Sequence, residues 1–161
     1  GGATHRPTGW QSCQAPFETQ EHEMKRREFL ALSAAMVSAP VSLSAASGAL
    51  SYSPGLVSRH LAKGDTVFLD FKARWCGTCR AQEKIISELK SANPNYEKHI
   101  TFIDVDWELF GKSKLVKRLN IPRRSTLVVL KENDELIRLV AETQRKKIKY
   151  LMDTALAAAT L

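Results

Sequence analysis

The chain has 161 residues, of which 43% are hydrophobic and 25% are charged, and its formal net charge is +7 at pH 7. This length and composition suit one globular domain plus a tail, and the sequence contains no internal repeat or low-complexity array. The positive charge raises the question of a nucleic-acid partner, but basic and acidic residues are interleaved and no recognition motif accompanies the dense run Arg145–Lys149. We therefore interpret that run as the solvated face of a helix and expect no nucleic-acid partner.

Residues 24–46 have the order of features that is typical of an export signal. Met24 is followed by the basic run Lys25–Arg27, then by a mildly apolar stretch rich in Ala and Ser, and finally by the small residues Ser44–Ala46. The arrangement Arg-Arg-x-Phe-Leu resembles a bacterial twin-arginine signal, which a receptor reads as an address. We therefore predict export to the periplasm and a mature chain that begins near Ser47.

Two alternatives remain for this N-terminal stretch. It could be a transmembrane helix, although its serines and Pro40 weaken that interpretation, or a surface helix of the mature domain. Residues 1–23 are interpreted as an added leader or an upstream extension assigned in error, and they hold Cys13. Removal of residues 1–46 would leave a domain at 47–161 with two cysteines, in an oxidising compartment where thiol–disulfide chemistry is expected.

After residue 47 the sequence alternates between strand and helix patterns, which predicts an α/β fold. In chain order, the patterns first predict a short edge strand at Ala49–Ser53. A helix follows that Ser53 caps, that Pro54 begins and that runs to about Ala62 before Gly64. The patterns then predict a strand at Thr66–Phe71, a helix from Cys76 to Ser91, a strand at Ile100–Asp106, a helix at Lys112–Leu119, strands at Thr126–Lys131 and Leu136–Val140, and a last helix that Thr143 caps. This order predicts a central mixed sheet, mainly parallel and flanked by helices on both faces, with a terminal hairpin that adds an antiparallel edge.

The motif Trp75-Cys76-Gly77-Thr78-Cys79 follows a predicted buried strand directly and begins a predicted helix. A helix N-terminus presents unpaired N–H groups and a partial positive charge, which stabilise a thiolate at Cys76. Cys79 lies one turn later and can close a disulfide with it. Arg74 and Arg80 flank the pair and favour the anion further. This setting predicts thiol–disulfide exchange.

The cysteine pair has three other possible uses. A closed zinc site needs four ligands, but the mature chain has one C-x-x-C and only His60 and His99 besides, neither at ligand spacing. A purely structural disulfide would close a loop of only four residues and would add little stability. A redox-inert binding module is a further alternative, and it predicts that Cys76→Ser leaves function unchanged.

From about Ala49 to Ala158 the chain resembles thioredoxin and its exported relatives, most clearly in Leu69–Cys79. The resemblance implies a thioredoxin fold in which Cys76 is the exposed attacking cysteine and Cys79 the buried resolving one. It also implies that Asp70 is a buried carboxylate that exchanges a proton with the resolving thiol, since a desolvated carboxyl has a raised pKa. A solvated or hydrogen-bonded strand Asp is the alternative. Residues that line the substrate surface are then expected to be Trp75, Gly77, Thr78, Arg124 and Ser125.

The sequence departs from the family pattern in three ways. Thr78 replaces the usual proline between the cysteines, which leaves the direction of electron flow open. Lys72 replaces a usually aromatic residue, and Phe102 stands where thioredoxin often has a lysine near the buried Asp. The third departure is Ser125, which takes the position of the usual cis-proline when Thr126–Leu130 is aligned with the family's strand.

The loop before Thr126 has two possible alignments. In the one that we favour, Arg124 precedes Ser125, and the peptide bond between them is expected to be trans because a cis bond there would cost about 3 kcal/mol more. In the other, Ile121-Pro122 would be a cis pair followed by a bulge. Arg123 and Arg124 add positive charge beside the site, either to stabilise the thiolate and steer a substrate or as plain surface charge.

The resemblance implies a monomeric, cofactor-free periplasmic oxidoreductase that reduces disulfides of other exported proteins. Its electrons would come from a membrane thiol-transport reductase. A net oxidant or isomerase is an alternative. Another is a metal-binding or metal-delivery protein, because Ser125 lacks the block that proline places between a C-x-x-C and a metal.

Overall fold

The computed structural model describes residues 48–161. The predicted leader at 1–23 and the predicted signal at 24–46 lie outside the described residues, so both remain predictions. In the described part of the chain, no helix is long and apolar enough to cross a membrane.

Strands and helices alternate along most of the described chain, as the sequence predicts. The elements are β1 (Leu50–Ser51), α1 (Leu56–Ala62), β2 (Thr66–Lys72), α2 (Gly77–Ala92), α3 (Asn95–His99), β3 (Ile100–Asp106), α4 (Trp107–Phe110), α5 (Lys114–Arg118), β4 (Thr126–Lys131), β5 (Asp134–Val140) and α6 (Arg145–Ala159).

The strands form one mixed sheet with the order β1-β3-β2-β4-β5. Strands β1 and β2 both run parallel to β3, whereas β4 runs antiparallel to β2 and β5 antiparallel to β4. The predicted mixed sheet with an antiparallel hairpin at its edge is therefore confirmed. The expectation that the sheet is mainly parallel is wrong, because two of the four strand pairings are antiparallel. Strand β2 lies in the middle, and its register places Asp70 opposite Asp104 on one side and Leu127 on the other.

Helices cover both faces of the sheet, and each face has its own apolar core. Val67, Leu69 and Phe71 point to one face, where they pack with residues of α1 and α5. Phe68 points to the other, where it packs with residues of α2, α3 and α6. Successive side chains of a strand point to opposite faces, so Asp70 lies on the same face as Phe68. The carboxyl group is therefore placed on the face that α2 covers.

The ends of two helices differ from the sequence-based expectation. Helix α1 begins at Leu56 and not at Pro54, because Gly55 adopts a left-handed φ of 84° and the carbonyl of Ser53 closes a turn with the Leu56 N–H. Helix α6 has no side-chain cap from Thr143. Instead, the Glu142 carboxylate accepts the N–H groups of Thr143 and Gln144 at 3.0 and 2.9 Å.

Two short helices were not expected. Helix α3 follows the Asn93-Pro94 break and ends directly at β3, and Tyr96 within it is buried against the core. Helix α4 begins where Asp106 accepts the N–H groups of Glu108 and Leu109. Both helices have five residues or fewer, too few to give the repeating apolar pattern from which a helix is recognised.

Candidate active site

The two cysteines lie where β2 has ended and α2 begins. Cys76 is the N-cap of α2, with extended backbone angles, and its Sγ accepts the Cys79 N–H at 3.3 Å. Both cysteines are free thiols. A sulfur in this position receives a backbone hydrogen bond and the positive end of the helix dipole, and both interactions favour the thiolate.

The attacking cysteine is less accessible than the resemblance implies. Cys76 is only 5% exposed and Cys79 2%, so the expectation of an exposed Cys76 is wrong for this structure. The reason is the loop before β4, which packs against the sulfurs: the Ser125 Oγ lies 3.2 Å from the Cys76 Sγ and 3.1 Å from the Cys79 Sγ.

Hydrogen bonds to its backbone hold Ser125 in an unusual conformation. Its φ is 61°, a left-handed value that costs a residue other than glycine about 1 kcal/mol or more. The Ser125 N–H donates to the Phe71 carbonyl at 2.7 Å, and the Ser125 carbonyl accepts the Ala141 N–H at 2.8 Å and the Gln82 side-chain amide at 3.2 Å. These bonds join the loop to β2, α2 and the end of β5.

This placement decides between the two alignments of the loop. Ser125 faces both cysteines, as the favoured alignment predicts, and none of the described residues has a cis peptide bond before it. The bond between Arg124 and Ser125 is therefore trans, and the alternative cis pair Ile121-Pro122 is not formed. The pyrrolidine ring expected for this family is replaced here by a hydroxyl group that touches both sulfurs.

The two thiols differ in acidity. Burial opposes ionisation of Cys76, but hydrogen bonds from Cys79, Ser125 and Arg124 outweigh it and lower the pKa of Cys76 to about 6. Burial raises the pKa of Cys79, and the sulfur of Cys76 beside it adds to the rise. A serine hydroxyl has one proton, so it can donate to the Cys76 thiolate while it accepts from the Cys79 thiol. These pKa shifts make Cys76 mostly a thiolate at neutral pH, while Cys79 keeps its proton.

Asp70 is buried with an unusual protonation equilibrium. It is 5% exposed, and its Oδ1 has no hydrogen-bond partner within the described residues. Desolvation raises the pKa of Asp70 to about 7, although the nearby Lys72 ammonium acts in the opposite direction. A carboxyl group with this pKa can take or give a proton near neutrality. The burial implied by the resemblance is observed, and proton transfer by Asp70 remains a prediction.

Lys72 connects Asp70 to two acidic side chains closer to solvent. Its Nζ lies 4.0 Å from the Asp70 Oδ2, 2.6 Å from the Asp104 Oδ2 and 3.0 Å from the Glu83 Oε1. Burial opposes the charge on Lys72, but these acidic partners outweigh it and raise its pKa. Lys72 therefore supplies a cation beside the buried carboxyl group. At Phe102, the other departure noted on these strands, the Lys90 Nζ lies over the ring, 3.6 Å from its centroid.

An open cleft of about 620 Å³ lies beside the pair. Its walls include Cys79, Lys72 and Asp104, together with Tyr52 and Phe110. Because the cleft reaches both Cys79 and the charged cluster around Lys72, it gives these groups a route to solvent.

The outer rim of the site is aromatic and basic. Trp75 is 55% exposed, and its Nε1 donates to the Glu108 Oε1 at 2.7 Å. The Arg124 guanidinium lies over the Trp75 ring, with its Cζ 4.1 Å from the ring centroid, a cation–π geometry. Gly77 is exposed and Thr78 is half-buried on the first turn of α2.

The structure brings all of the sequence-predicted site residues together. Asp70 lies close enough to Cys76 for the two groups to interact electrostatically. Around the pair Cys76 and Cys79 lie Trp75, Gly77, Thr78, Arg124 and Ser125. Sequence reasoning missed Gln82, which is fully buried and donates to the carbonyls of Ser125 and Glu142. It also missed Glu108 as the partner of Trp75 and the bridging position of Lys72. Gln82 carried a signal, because it is a polar residue in the buried stripe Cys79, Gln82, Ile86 and Leu89.

Comparison with known proteins gives a consistent result. A sequence model described as Thioredoxin matches residues 57–154, which is more than half of the chain. The chain is 31% identical over 77 residues to Thioredoxin H-type of Fagopyrum esculentum, a match that covers 48% of this chain and 61% of that protein. It is 32% identical over 77 residues to Thioredoxin H5 of Oryza sativa subsp. japonica, with coverage of 48% and 53%.

A likeness to solved structures concerns the fold. The structure of Trxlp from Edwardsiella tarda EIB202 matches with a TM-score of 0.56 and 23% identity, over 65% of this chain and 98% of that one. The chain spans less than two thirds of the length of the two plant relatives.

Proposed function

The chain belongs to the thioredoxin family, and from this premise we propose that it is a thiol–disulfide oxidoreductase that reduces protein disulfides through Cys76 and Cys79. The observation that carries the proposal is the pair of thiols with opposite acidity. The pKa of Cys76 is lowered to about 6, whereas that of Cys79 is raised. One sulfur is thus ready to attack at neutral pH, and the other keeps its proton until it is needed.

In the first step, the Cys76 thiolate attacks one sulfur of the substrate disulfide. A bond forms between the Cys76 Sγ and that sulfur while the substrate S–S bond breaks. The electron pair leaves on the second substrate sulfur, which takes up a proton from solvent. Ser125, whose Oγ lies 3.2 Å from the Cys76 Sγ, stabilises the thiolate before the attack.

In the second step, Cys79 resolves the mixed disulfide. Its thiol gives up a proton to the Asp70 carboxylate, and its sulfur attacks the Cys76 Sγ. The bond between Cys76 and the substrate breaks, and the remaining substrate sulfur leaves as a thiolate. One substrate disulfide has become two thiols, and Cys76 and Cys79 are joined in a disulfide. A dithiol donor must then reduce that disulfide before the next cycle, and we assign this part to a membrane thiol-transport reductase.

The direction of electron flow is supported by the acidity of Cys76. A pKa of about 6 is closer to the value of about 7 found in reducing thioredoxins than to the value of about 3.5 found in a strong oxidant. The test is the reduction potential of the Cys76–Cys79 couple, measured by equilibration with glutathione followed by thiol alkylation. A value near or below about −230 mV agrees with a reductant, whereas about −120 to −180 mV would make the protein an oxidant or isomerase.

The location of the activity is a separate proposal. We assign the protein to the periplasm because residues 24–46 have a basic start, an apolar core and a small-residue end. Its substrates would then be disulfides of other exported proteins. Cell fractionation of the full chain, compared with an Arg26→Lys and Arg27→Lys variant, tests this. Equal periplasmic amounts of both proteins would contradict a twin-arginine route.

Metal binding is a second candidate function. It is favoured by the Ser125 hydroxyl, which lies within 3.2 Å of both sulfurs and could complete a three-ligand set. Among residues 48–161, no group of three or more His, Cys, Asp or Glu side chains is placed to hold a metal ion. Metal analysis after purification under reducing conditions distinguishes the two functions. Stoichiometric metal that is lost in the Cys76→Ser and Cys79→Ser variants would replace the oxidoreductase proposal.

A further inference from the structure

Four arginines lie beside the cysteine motif, on the two chain segments that meet at the Cys76 sulfur. Arg74 comes directly before the motif, Arg80 lies on the first turn of α2, and Arg123 and Arg124 lie on the loop before β4. Arg124 lies over Trp75, and the Arg80 guanidinium donates to the Arg74 carbonyl at 3.0 Å. The cations therefore border the active site from two sides, on two separate segments of chain.

Within residues 48–161, none of these four arginines has a carboxylate within salt-bridge distance. The acidic side chains close to the site are engaged elsewhere. Glu108 accepts from Trp75, Glu83 and Asp104 bind Lys72, and Asp106 caps α4. None of these carboxylates is therefore paired with one of the four arginines.

The basic run in α6 shows the contrast. Arg145, Lys147 and Lys149 each pair with a carboxylate of the same chain, namely Glu88, Glu142 and Asp153. The four arginines beside the cysteines have no such partner among the described residues, as expected of a surface whose counter-charge comes from a partner.

The shape of the site restricts the kind of partner. The Cys76 sulfur is only 5% exposed, whereas Trp75 is 55% and Leu109 is 74% exposed. The Cys76 sulfur is therefore buried, while Trp75 and Leu109, which lines the cleft beside Cys79, are exposed. A flat folded surface would rest on these exposed side chains, whereas an extended chain can bring its disulfide closer to the buried Cys76 sulfur.

We propose that the substrates of this site are extended, acidic segments of oxidised proteins, with Asp or Glu within a few residues of the disulfide cysteine. The acidic side chains pair with Arg74, Arg80, Arg123 and Arg124, and apolar neighbours contact Trp75 and Leu109. This inference rests on the proposed oxidoreductase function and names its substrate class.

The experiment compares three disulfide-linked peptides of equal length, in which the cysteine is flanked by Glu, Gln or Lys. We expect kcat/KM to fall in the order Glu, Gln, Lys, with a ratio of about ten or more between Glu and Lys at low salt. At high ionic strength the ratio should approach one, because the Debye length falls to about 3 Å at 1 M. Equal rates at low salt, or faster turnover of the Lys peptide, overturn the inference.

Charge-reversal variants locate the effect. Arg74→Glu together with Arg123→Glu should lower the Glu-to-Lys ratio by about three- to tenfold. Lys63→Glu is the matched control, because Lys63 is exposed and precedes β2 at the end remote from Cys76, and it should leave the ratio unchanged. A change in Cys76 acidity would alter the rates of all three peptides alike and would leave the ratio intact. If none of the three peptides is reduced, the oxidoreductase proposal itself is overturned. Equal reduction of all three peptides overturns only the inference about acidic substrates.

Discussion

The hydroxyl of Ser125 is the feature that most distinguishes this site, and its removal gives a sharp prediction. In Ser125→Ala the backbone can keep its bonds to Phe71 and Ala141, but the Oγ that lies 3.2 and 3.1 Å from the two sulfurs is lost. The Cys76 thiolate then loses one donor and keeps those from Cys79 and Arg124. The pKa of Cys76 should therefore rise from about 6 toward the value of an ordinary thiol.

The size of this rise follows from the energy of one hydrogen bond to a charged group. Such a bond contributes about 1.5–3 kcal/mol, which corresponds to a rise of about 1–2 in pKa at 1.36 kcal/mol each. The thiolate fraction at pH 7 would fall from about nine tenths to between about one half and one tenth. The thiolate stabilises the dithiol form, so raising the pKa of Cys76 should also make the couple more reducing, by about 20–30 mV at pH 7.

The assay is the pH dependence of Cys76 alkylation by iodoacetamide in the fully reduced protein. Thr126→Val is the matched control, since Thr126 has a neighbouring buried hydroxyl that donates to the Arg123 carbonyl at 2.7 Å and is not bonded to either sulfur. Ser125→Gly checks the backbone, because glycine adopts the left-handed φ of 61° without strain. An alkylation midpoint that moves equally in Thr126→Val, or not at all in Ser125→Ala and Ser125→Gly, would refute the reasoning.

Three further substitutions test the groups behind the cysteines. The pKa of Asp70 is raised from 3.8 to about 7 in the folded protein, so Asp70 destabilises the fold increasingly as pH rises between these values. Asp70→Asn should remove this pH dependence. Above pH 7 it should raise the free energy of unfolding, measured with urea, by up to about 4 kcal/mol. Lys72→Met should raise the pKa of Asp70 further, because the Lys72 ammonium lowers it. The titration of the Asp70 carboxyl group, followed by NMR, measures this, and an unchanged midpoint in the variant would contradict it. Gln82→Met removes the bonds to Ser125 and Glu142 and should cost about 1–3 kcal/mol in the same unfolding assay, whereas a cost below about 0.5 kcal/mol would show that Gln82 does not hold the loop.

Much of the fold was predictable because its signals are local. The apolar run at Thr66–Phe71, the C-x-x-C after it and the periodic pattern of α6 each identify one element without reference to the others. The aligned strand at Thr126–Leu130 also placed Ser125 correctly beside the cysteines. These residues are specified by patterns that a few neighbours in sequence suffice to show.

The remaining features depend on contacts between distant segments. Lys72 reaches Asp104 because β2 and β3 pair in register, and nothing near Lys72 in sequence indicates this. The burial of Cys76 depends on the loop before β4, which is 49 residues away along the chain. Gln82 was a visible polar exception on an apolar helix face, but its partners in the Ser125 loop became apparent only in the folded chain.

The central claim is that Cys76 attacks the substrate and Cys79 releases it, and trapping of the mixed disulfide tests this most directly. Purified Cys79→Ser and Cys76→Ser variants are each incubated with an oxidised protein substrate and analysed by intact mass. The account predicts a stable mixed disulfide on Cys76 in the Cys79→Ser variant and little or none in the Cys76→Ser variant, whose remaining thiol is buried and has a raised pKa. Trapping on Cys79 alone, or on neither cysteine, would contradict it.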